Sequence, residues 1–185
     1  EEASNRGVYI FGLPPENKKI NVQKSGNFIS TAEHTILLLL ASAGNFYQAV
    51  NSLKQGRWEK SSLVGTELNR KTLGIVGLGR IGKLVAQRAS GLGMEIITYD
   101  PHLSSEYVAT HGARLVSLAT LCKKADVITI HAPQTPQTTN LIDTRCFDLM
   151  KPGIIIVNAA RASIIDEDAL LANIKSGKVK SAAMD

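Results

Sequence analysis

Four places in this 185-residue chain combine residue types that can do chemistry. The first is Gly77, Gly79 and Gly82, which stand in G-x-G-x-x-G spacing. They follow the apolar residues Leu73, Ile75 and Val76 and precede a segment where Ile81, Leu84, Val85, Arg88 and Ala89 recur at helical intervals. Between a strand and a helix each glycine has a task. Gly77 permits the tight turn, Gly79 lets backbone approach a pyrophosphate, and Gly82 lets the helix pack close on the strand. The helix N-terminus then offers free N–H groups and about half a positive charge to a diphosphate. Gly77, Gly82 and Lys83 also satisfy most of a GxxxxGK[ST] phosphate loop. Position 84 is Leu, so the magnesium-binding hydroxyl is missing and an ATPase or kinase is disfavoured. A glycine turn that binds nothing is the bland alternative.

The other three places follow at the ends of later apolar stretches. Tyr99-Asp100-Pro101 lies where a dinucleotide site needs an acid to accept from the adenosine ribose hydroxyls, eighteen residues after Gly82. The carboxylate would repel a 2′-phosphate and no Arg follows it, so NAD is favoured over NADP. The competing role for Asp100 is that of a turn residue before Pro101. His131, in His131-Ala132-Pro133, is either a base or a strand-end His bonded to its surroundings; we prefer the second. The Thr-rich loop 134–140, with Thr138, should border the cofactor. Arg161 ends Asn158-Ala159-Ala160-Arg161. An Arg just past a buried strand calls for an anion, and its planar fork suits a carboxylate. It is our candidate for orienting a substrate acid, against the alternative of a surface ion pair with Asp166 or Glu167.

These residues need a scaffold. Apolar runs at 73–77, 95–99, 114–116, 126–131, 154–158 and 180–184 read as strands. Helical patterns at 80–91, 104–111, 117–124, 143–150 and 166–176 lie between them, the last with Asp166 as its N-cap and Gly177 as its stop. This alternation implies a doubly wound parallel α/β sheet, with its ligand at the carboxyl ends of the strands. Upstream, Ser30 and Glu33 make a capping box for a helix running to about Gln55, apolar on all sides at 36–40. Val8 to Phe11 reads as a short strand, and 13–19 as a polar turn. Residues 1–29 therefore read as a connector or the tail of a second domain, and 30–185 as the cofactor domain with its core at 72–185.

Composition narrows the class. A net charge of +5 without a basic block of five argues against nucleic-acid binding. The apolar run 35–43 is too short to span a membrane. Cys122 and Cys146 form neither a disulfide framework nor a metal-ligand spacing, so no metal is expected and a reducing compartment fits. The cytoplasm is the expected location, with an organellar matrix or plastid stroma as the alternative. The chain starts without Met and stops in strand-like sequence, which reads as a piece of a longer protein.

The segments GNFISTAEHT, KTLGIVGLGRIGK, HAPQTPQTTNLI and MKPGIIIVNAARASIIDEDALLANIKSGKVKSAAMD resemble the D-isomer-specific 2-hydroxyacid dehydrogenase family. They cover most of residues 26–185. GTELNRKTLGIVGLGRIG and GMEIITYDP look most like the branch acting on D-3-phosphoglycerate, at the entry to serine biosynthesis. Glyoxylate/hydroxypyruvate reductases and the family's NADH-sensing corepressors are the alternatives. The resemblance implies a two-domain subunit with this chain as its Rossmann-type NAD-binding domain. It implies NAD as cofactor, a 2-hydroxy or 2-oxo acid as substrate, and homodimers or homotetramers formed through this domain. It matches Arg161 to the catalytic Arg and places the catalytic Glu and His beyond Asp185. Arg80 and Ile81 match pyrophosphate contacts, and Asp185 the acid that holds the nicotinamide carboxamide. Tyr99, Pro101, His131, Ala132, Pro133, Thr138, Ala159, Ala160 and Arg161 match positions along the cofactor, and Asn27 one in the active-site cleft. Where the family commonly has Arg-Gly-Gly or Arg-Gly-Thr, this chain has Arg161-Ala162-Ser163. If that Gly position needs positive φ, Ala162 is strained. Residues 8–25 are also longer than the family's usual crossover into Asn27.

Overall fold

The computed structural model describes residues 8–10 and 27–185. The readings at 1–7 and 11–26, including the polar turn, fall outside them. Seven strands form one sheet: β1 (Val8–Ile10), β2 (Thr72–Val76), β3 (Glu95–Tyr99), β4 (Arg114–Leu115), β5 (Val127–Ile130), β6 (Ile154–Asn158) and β7 (Val179–Met184). Their order is β1-β7-β6-β5-β2-β3-β4, and every pairing is parallel. From β2 the chain moves outward to β3 and β4, then returns to β5 on the other side of β2. The reversal between β2 and β5 is where parallel sheets of this kind open a crevice at their carboxyl ends.

Helices cover both faces. They are α1 (Phe28–Ala43), α2 (Phe46–Lys54), α3 (Arg80–Gly91), α4 (Ser105–Ala109), α5 (Leu118–Lys124), α6 (Thr144–Leu149) and α7 (Glu167–Lys175). One buried cluster joins Leu38 and Leu39 of α1 and Val85 and Ala86 of α3 to Leu73, Ile75, Val127 and Val157 of the sheet. The other joins Leu121, Phe147 and Leu170 to Ile128, Ile130 and Ile156. Burial on both faces is why the strands are continuous apolar runs rather than alternating ones. Asp166 caps α7 as expected, its carboxylate accepting from the Ala169 N–H at 3.0 Å.

The upstream helix differs from its sequence reading. It begins at Phe28, so Ser30 lies inside it and its hydroxyl donates to the Asn27 carbonyl instead of capping. Glu33 faces Arg88 of α3 at 3.7 Å. The helix also breaks at Gly44 and Asn45, and α1 and α2 meet at 62°. Asn45 sits at φ 52° and its side-chain amide donates to the Val64 carbonyl at 2.9 Å, a contact that continued helix could not make. Leu38 and Leu39 are buried, but Leu37 and Leu40 face out, so 36–40 is not covered on all sides by the described residues. No single helix among the described residues is long and apolar enough to cross a membrane.

Candidate functional site

The glycine turn leaves β2 and enters α3 at the switch point. Gly77 has φ +92°, and a Cβ there would press on the Ala132 backbone at 2.9 Å. Its N–H donates to the Tyr99 carbonyl at 2.9 Å, so the turn is stitched to the end of β3. A Cβ on Gly82 would collide with the Gly77 carbonyl oxygen. Gly79, the N-cap of α3, has nothing within 4 Å of where a Cβ would stand, and no side chain caps the helix. The turn thus exposes uncapped amides to open space, which is what a bound anion needs. Ile81 is half-buried against the α1–α3 core, while the Arg80 guanidinium lies 4.3 Å over the Phe28 ring. That contact places the start of α1, and exposed Asn27 beside it, at the same edge of the sheet.

Beside the turn is a cavity of about 650 Å³ lined by Gly77, Tyr99, Asp100, Pro101, Ala132, Pro133 and Thr138, with Val76, His102, Thr135, Gln137 and Leu141 completing it. Its size suits a cofactor fragment, and it has one carboxylate. Asp100 makes the turn contact foreseen for it, and its carboxylate lines the cavity. One oxygen accepts from the Leu78 N–H and the other from the His102 N–H, each at 3.0 Å, the second being an Asx turn. The carboxylate is thereby fixed in the cavity wall with lone pairs to spare. Thr138 organises its own loop, donating to the Pro133 carbonyl at 2.6 Å and accepting from the Thr135 N–H at 2.8 Å. A larger hollow, about 770 Å³, lies between Phe28, Arg80, Lys83 and His111, but it includes no carboxylate and none of the three motif glycines. We expect Asp100→Asn, which keeps an oxygen for one of the two amides, to leave folding intact. It should narrow the preference for NAD over NADP about tenfold, as removal of one close like charge should. Titrating both cofactors into both proteins checks this; an unchanged ratio would remove the role.

His131 is held by Thr129, whose hydroxyl is 2.9 Å from Nε2, and its backbone N–H donates to the Val76 carbonyl. Nδ1 is buried without a partner among the described residues. Burial pushes the imidazole down from 6.5 to about 4, so the folded chain holds it neutral. The unfolded chain takes up that proton near 6.5. The stability His131 confers is therefore complete above 6.5 and is lost as pH falls toward 4, by at most about 3 kcal/mol. Urea titrations at pH 7 and 4.5 should show a stability drop that shrinks by about 2 kcal/mol in His131→Gln. An equal drop in both proteins would refute the linkage.

At the end of β6 the backbone turns through Ala159 and Ala160, both half-buried. Asn158 builds this turn: its Oδ1 accepts from the Ala160 N–H at 3.0 Å and its Nδ2 donates to the Arg161 carbonyl at 2.9 Å. Sequence reasoning passed over Asn158; an amide ending an otherwise apolar strand was the available signal. Arg161 is exposed, and among the described residues its guanidinium donates only to the Ala160 carbonyl. Among the described residues it pairs with neither Asp166 nor Glu167. Ala162 opens a short 3₁₀ turn, Ala162–Ile164, and is not among the residues with positive φ. The strain foreseen for it is absent, because the turn is made by Asn158 and not by a left-handed residue. Asp185 follows β7, its N–H on the Asn158 carbonyl at 3.0 Å. The glycine turn, Asp100, the 131–138 loop, Arg161 and Asp185 thus share one sheet edge, although only the first three border the same cavity.

A parallel sheet with this switch point, an uncapped glycine turn and a fixed carboxylate beside it is a dinucleotide-binding domain. The chain belongs to the D-isomer specific 2-hydroxyacid dehydrogenase family, whose NAD binding domain it matches over residues 36–185. It is 45% identical over 183 residues to a D-3-phosphoglycerate dehydrogenase of Archaeoglobus fulgidus, covering 99% of this chain and 33% of that one. The chain thus spans about a third of such relatives. The structure resembles D-lactate dehydrogenase from Aquifex aeolicus complexed with NAD and lactic acid, with TM-score 0.80 and 34% identity over 84% of this chain and 47% of that one. It also resembles an NAD-dependent formate dehydrogenase from Staphylococcus aureus in complex with NAD, with TM-score 0.81 and 36% identity over 86% and 49%.

Proposed function

We propose that the full-length protein transfers hydride reversibly between NAD and D-3-phosphoglycerate, at the entry to serine biosynthesis. The observation that carries a 2-hydroxy acid substrate is Arg161, whose guanidinium forms no ion pair among the described residues and lies at the ligand edge of the sheet. The identity to phosphoglycerate dehydrogenases supports the particular acid. NAD supplies the hydride acceptor. The glycine turn and α3 N-terminus would hold its diphosphate, Asp100 its adenosine ribose, and Asp185 its carboxamide. Arg161 would orient the substrate's carboxylate and carbonyl oxygen, near Asn27. Proton transfer would fall to a His supported by a Glu, both downstream of Asp185. Residues 1–29 would connect to the substrate domain.

We also propose that two or four copies pair through α1, α2 and the segment after them. Among the described residues, seven of the ten exposed large apolar side chains lie between Ile29 and Val64, including Phe46 and Trp58, the latter 80% exposed. Water-facing apolar surface of that density is what a subunit interface covers. Cytoplasmic residence, without nucleic-acid or membrane partners, fits the modest net charge. The test is steady-state oxidation by the full-length protein of D-3-phosphoglycerate against D-lactate and D-glycerate, with glyoxylate and hydroxypyruvate in reverse. Phosphoglycerate should have the highest kcat/KM. Faster turnover of hydroxypyruvate would reassign the substrate, and robust turnover by residues 1–185 alone would overturn the placement of the Glu and His.

A further inference from the structure

Asp185 has a backbone held by the sheet and a carboxylate that the sheet does not hold. Among the described residues, one side chain that can carry positive charge approaches that carboxylate: His34, with Nε2 3.7 Å from Oδ1. His34 comes from α1, far away in sequence. α1 is locked in place by buried Ala32, Thr35, Leu38 and Leu39, and it packs across β6 and β7. The Thr35 hydroxyl donates to the Thr31 carbonyl one turn back, so this buried polar group is satisfied within the helix. His34 is therefore presented to Asp185 by a fixed element. Both side chains remain about one-third open, 30% for His34 and 39% for Asp185.

The pair is as widely spaced as Arg88–Glu33, also 3.7 Å, and wider than two other ion pairs. Lys151–Asp126 closes to 2.9 Å and Arg145–Asp143 to 2.8 Å. At 3.7 Å, His34 and Asp185 are beyond a good hydrogen bond but within electrostatic reach. His34 can bias where the carboxylate points without occupying the lone pairs that an incoming amide N–H would need. Asn158 cannot perform this task, since both ends of its side-chain amide are committed to the Arg161 turn.

We propose that His34 is a positioning residue for the nicotinamide end of the site, holding the Asp185 carboxylate where it accepts the carboxamide N–H. This rests on the assignment of Asp185 made above. His34 acts through Asp185 and touches no reacting atom.

The test is equilibrium binding of two cofactors to the full-length protein. One is NAD. The other is 3-acetylpyridine adenine dinucleotide, in which a methyl ketone replaces the carboxamide and no N–H remains. Wild type should prefer NAD. His34→Leu should weaken NAD about threefold to fivefold, the upper range for a partly exposed charge pair, and leave the analogue unchanged. His34→Gln, with an amide nitrogen near the place of Nε2, should recover most of the preference. The ratio of the two affinities within one protein does not depend on how much of a variant is folded. Equal weakening of both cofactors, or of neither, overturns the inference. If Asp185→Ala lowers the ratio and His34→Leu does not, the positioning role alone fails. If Asp185→Ala leaves the ratio unchanged, the assignment of Asp185 fails and takes the inference with it.

Discussion

In the full-length enzyme, Arg161→Ala should lower kcat/KM for the 2-hydroxy acid about a hundredfold to a thousandfold. That is the range seen when one partner of a buried charge-assisted pair is removed. The reason lies in how the residue is placed. The Asn158 side chain clamps the turn from both sides, at Ala160 N–H and Arg161 C=O. Arg161 itself is extended, at φ −144° and ψ 137°, immediately before the 3₁₀ turn. Its guanidinium has one partner among the described residues, the Ala160 carbonyl at 2.8 Å, which leaves most of its five N–H donors for an anion. Arg161→Lys should recover little of the loss, because an ammonium cannot bridge two oxygens in the plane of a carboxylate. The fall should appear in both KM and kcat for the acid, with a smaller effect on NAD affinity. Unchanged KM and kcat in Arg161→Ala would remove the residue from the site. Asn158→Ala should give a milder form of the same defect, since it loosens the turn but keeps the guanidinium.

Gly82→Val should abolish measurable NAD binding and also destabilise the chain, by about 1 to 3 kcal/mol as overpacking does. The added Cβ would strike the Gly77 carbonyl oxygen, and Gly77 cannot retreat. It already sits at φ +92° against the Ala132 backbone, with its N–H bonded to Tyr99. Moving Gly77 would therefore disturb β2, β3 and the 131–138 loop together. Gly79→Ala is the informative contrast. Nothing lies within 4 Å of its Cβ position, so its thermal unfolding should match wild type. NAD affinity should nevertheless fall about tenfold, because the methyl would stand where backbone must meet the diphosphate. Calorimetric titration with NAD beside thermal denaturation of both variants separates the two roles. A Gly79→Ala protein with undiminished affinity would mean that the diphosphate does not approach there.

Much of the sheet was legible before folding was considered. Residues 95–99 and 154–158 are strands with the bounds that their apolar runs imply, and 80–91 is the helix its periodicity implies. These segments are buried on both faces or packed along one stripe, so local pattern and tertiary environment agree. The helical segment from Ser30 and its end near Gln55 were legible, but its start and its break were not. Ser30-Thr31-Ala32-Glu33 has the composition of a capping box, but one turn more of helix forms because Phe28 meets Arg80 and α1 packs on β6 and β7. Its break at Gly44 and Asn45 depends on a bond to Val64, nineteen residues away, which no local window contains.

The sequence by itself determined the class of site: three glycines at a strand–helix junction, an acid at the end of the next strand, and an Arg past the fifth. Spacing along one chain is enough there, because each residue acts through backbone geometry at the end of its own strand. Only the tertiary structure decided which of them meet. It divided Asp100 between two backbone amides and the cavity wall, and made His131 a half-buried, neutral ring. It made the Arg161 turn from Asn158, so that Ala162 needs no left-handed backbone. It also set His34 against Asp185 across the whole length of the described core. Such contacts join residues whose separation in sequence carries no signal, and they exist only once the sheet has brought its carboxyl ends to one edge.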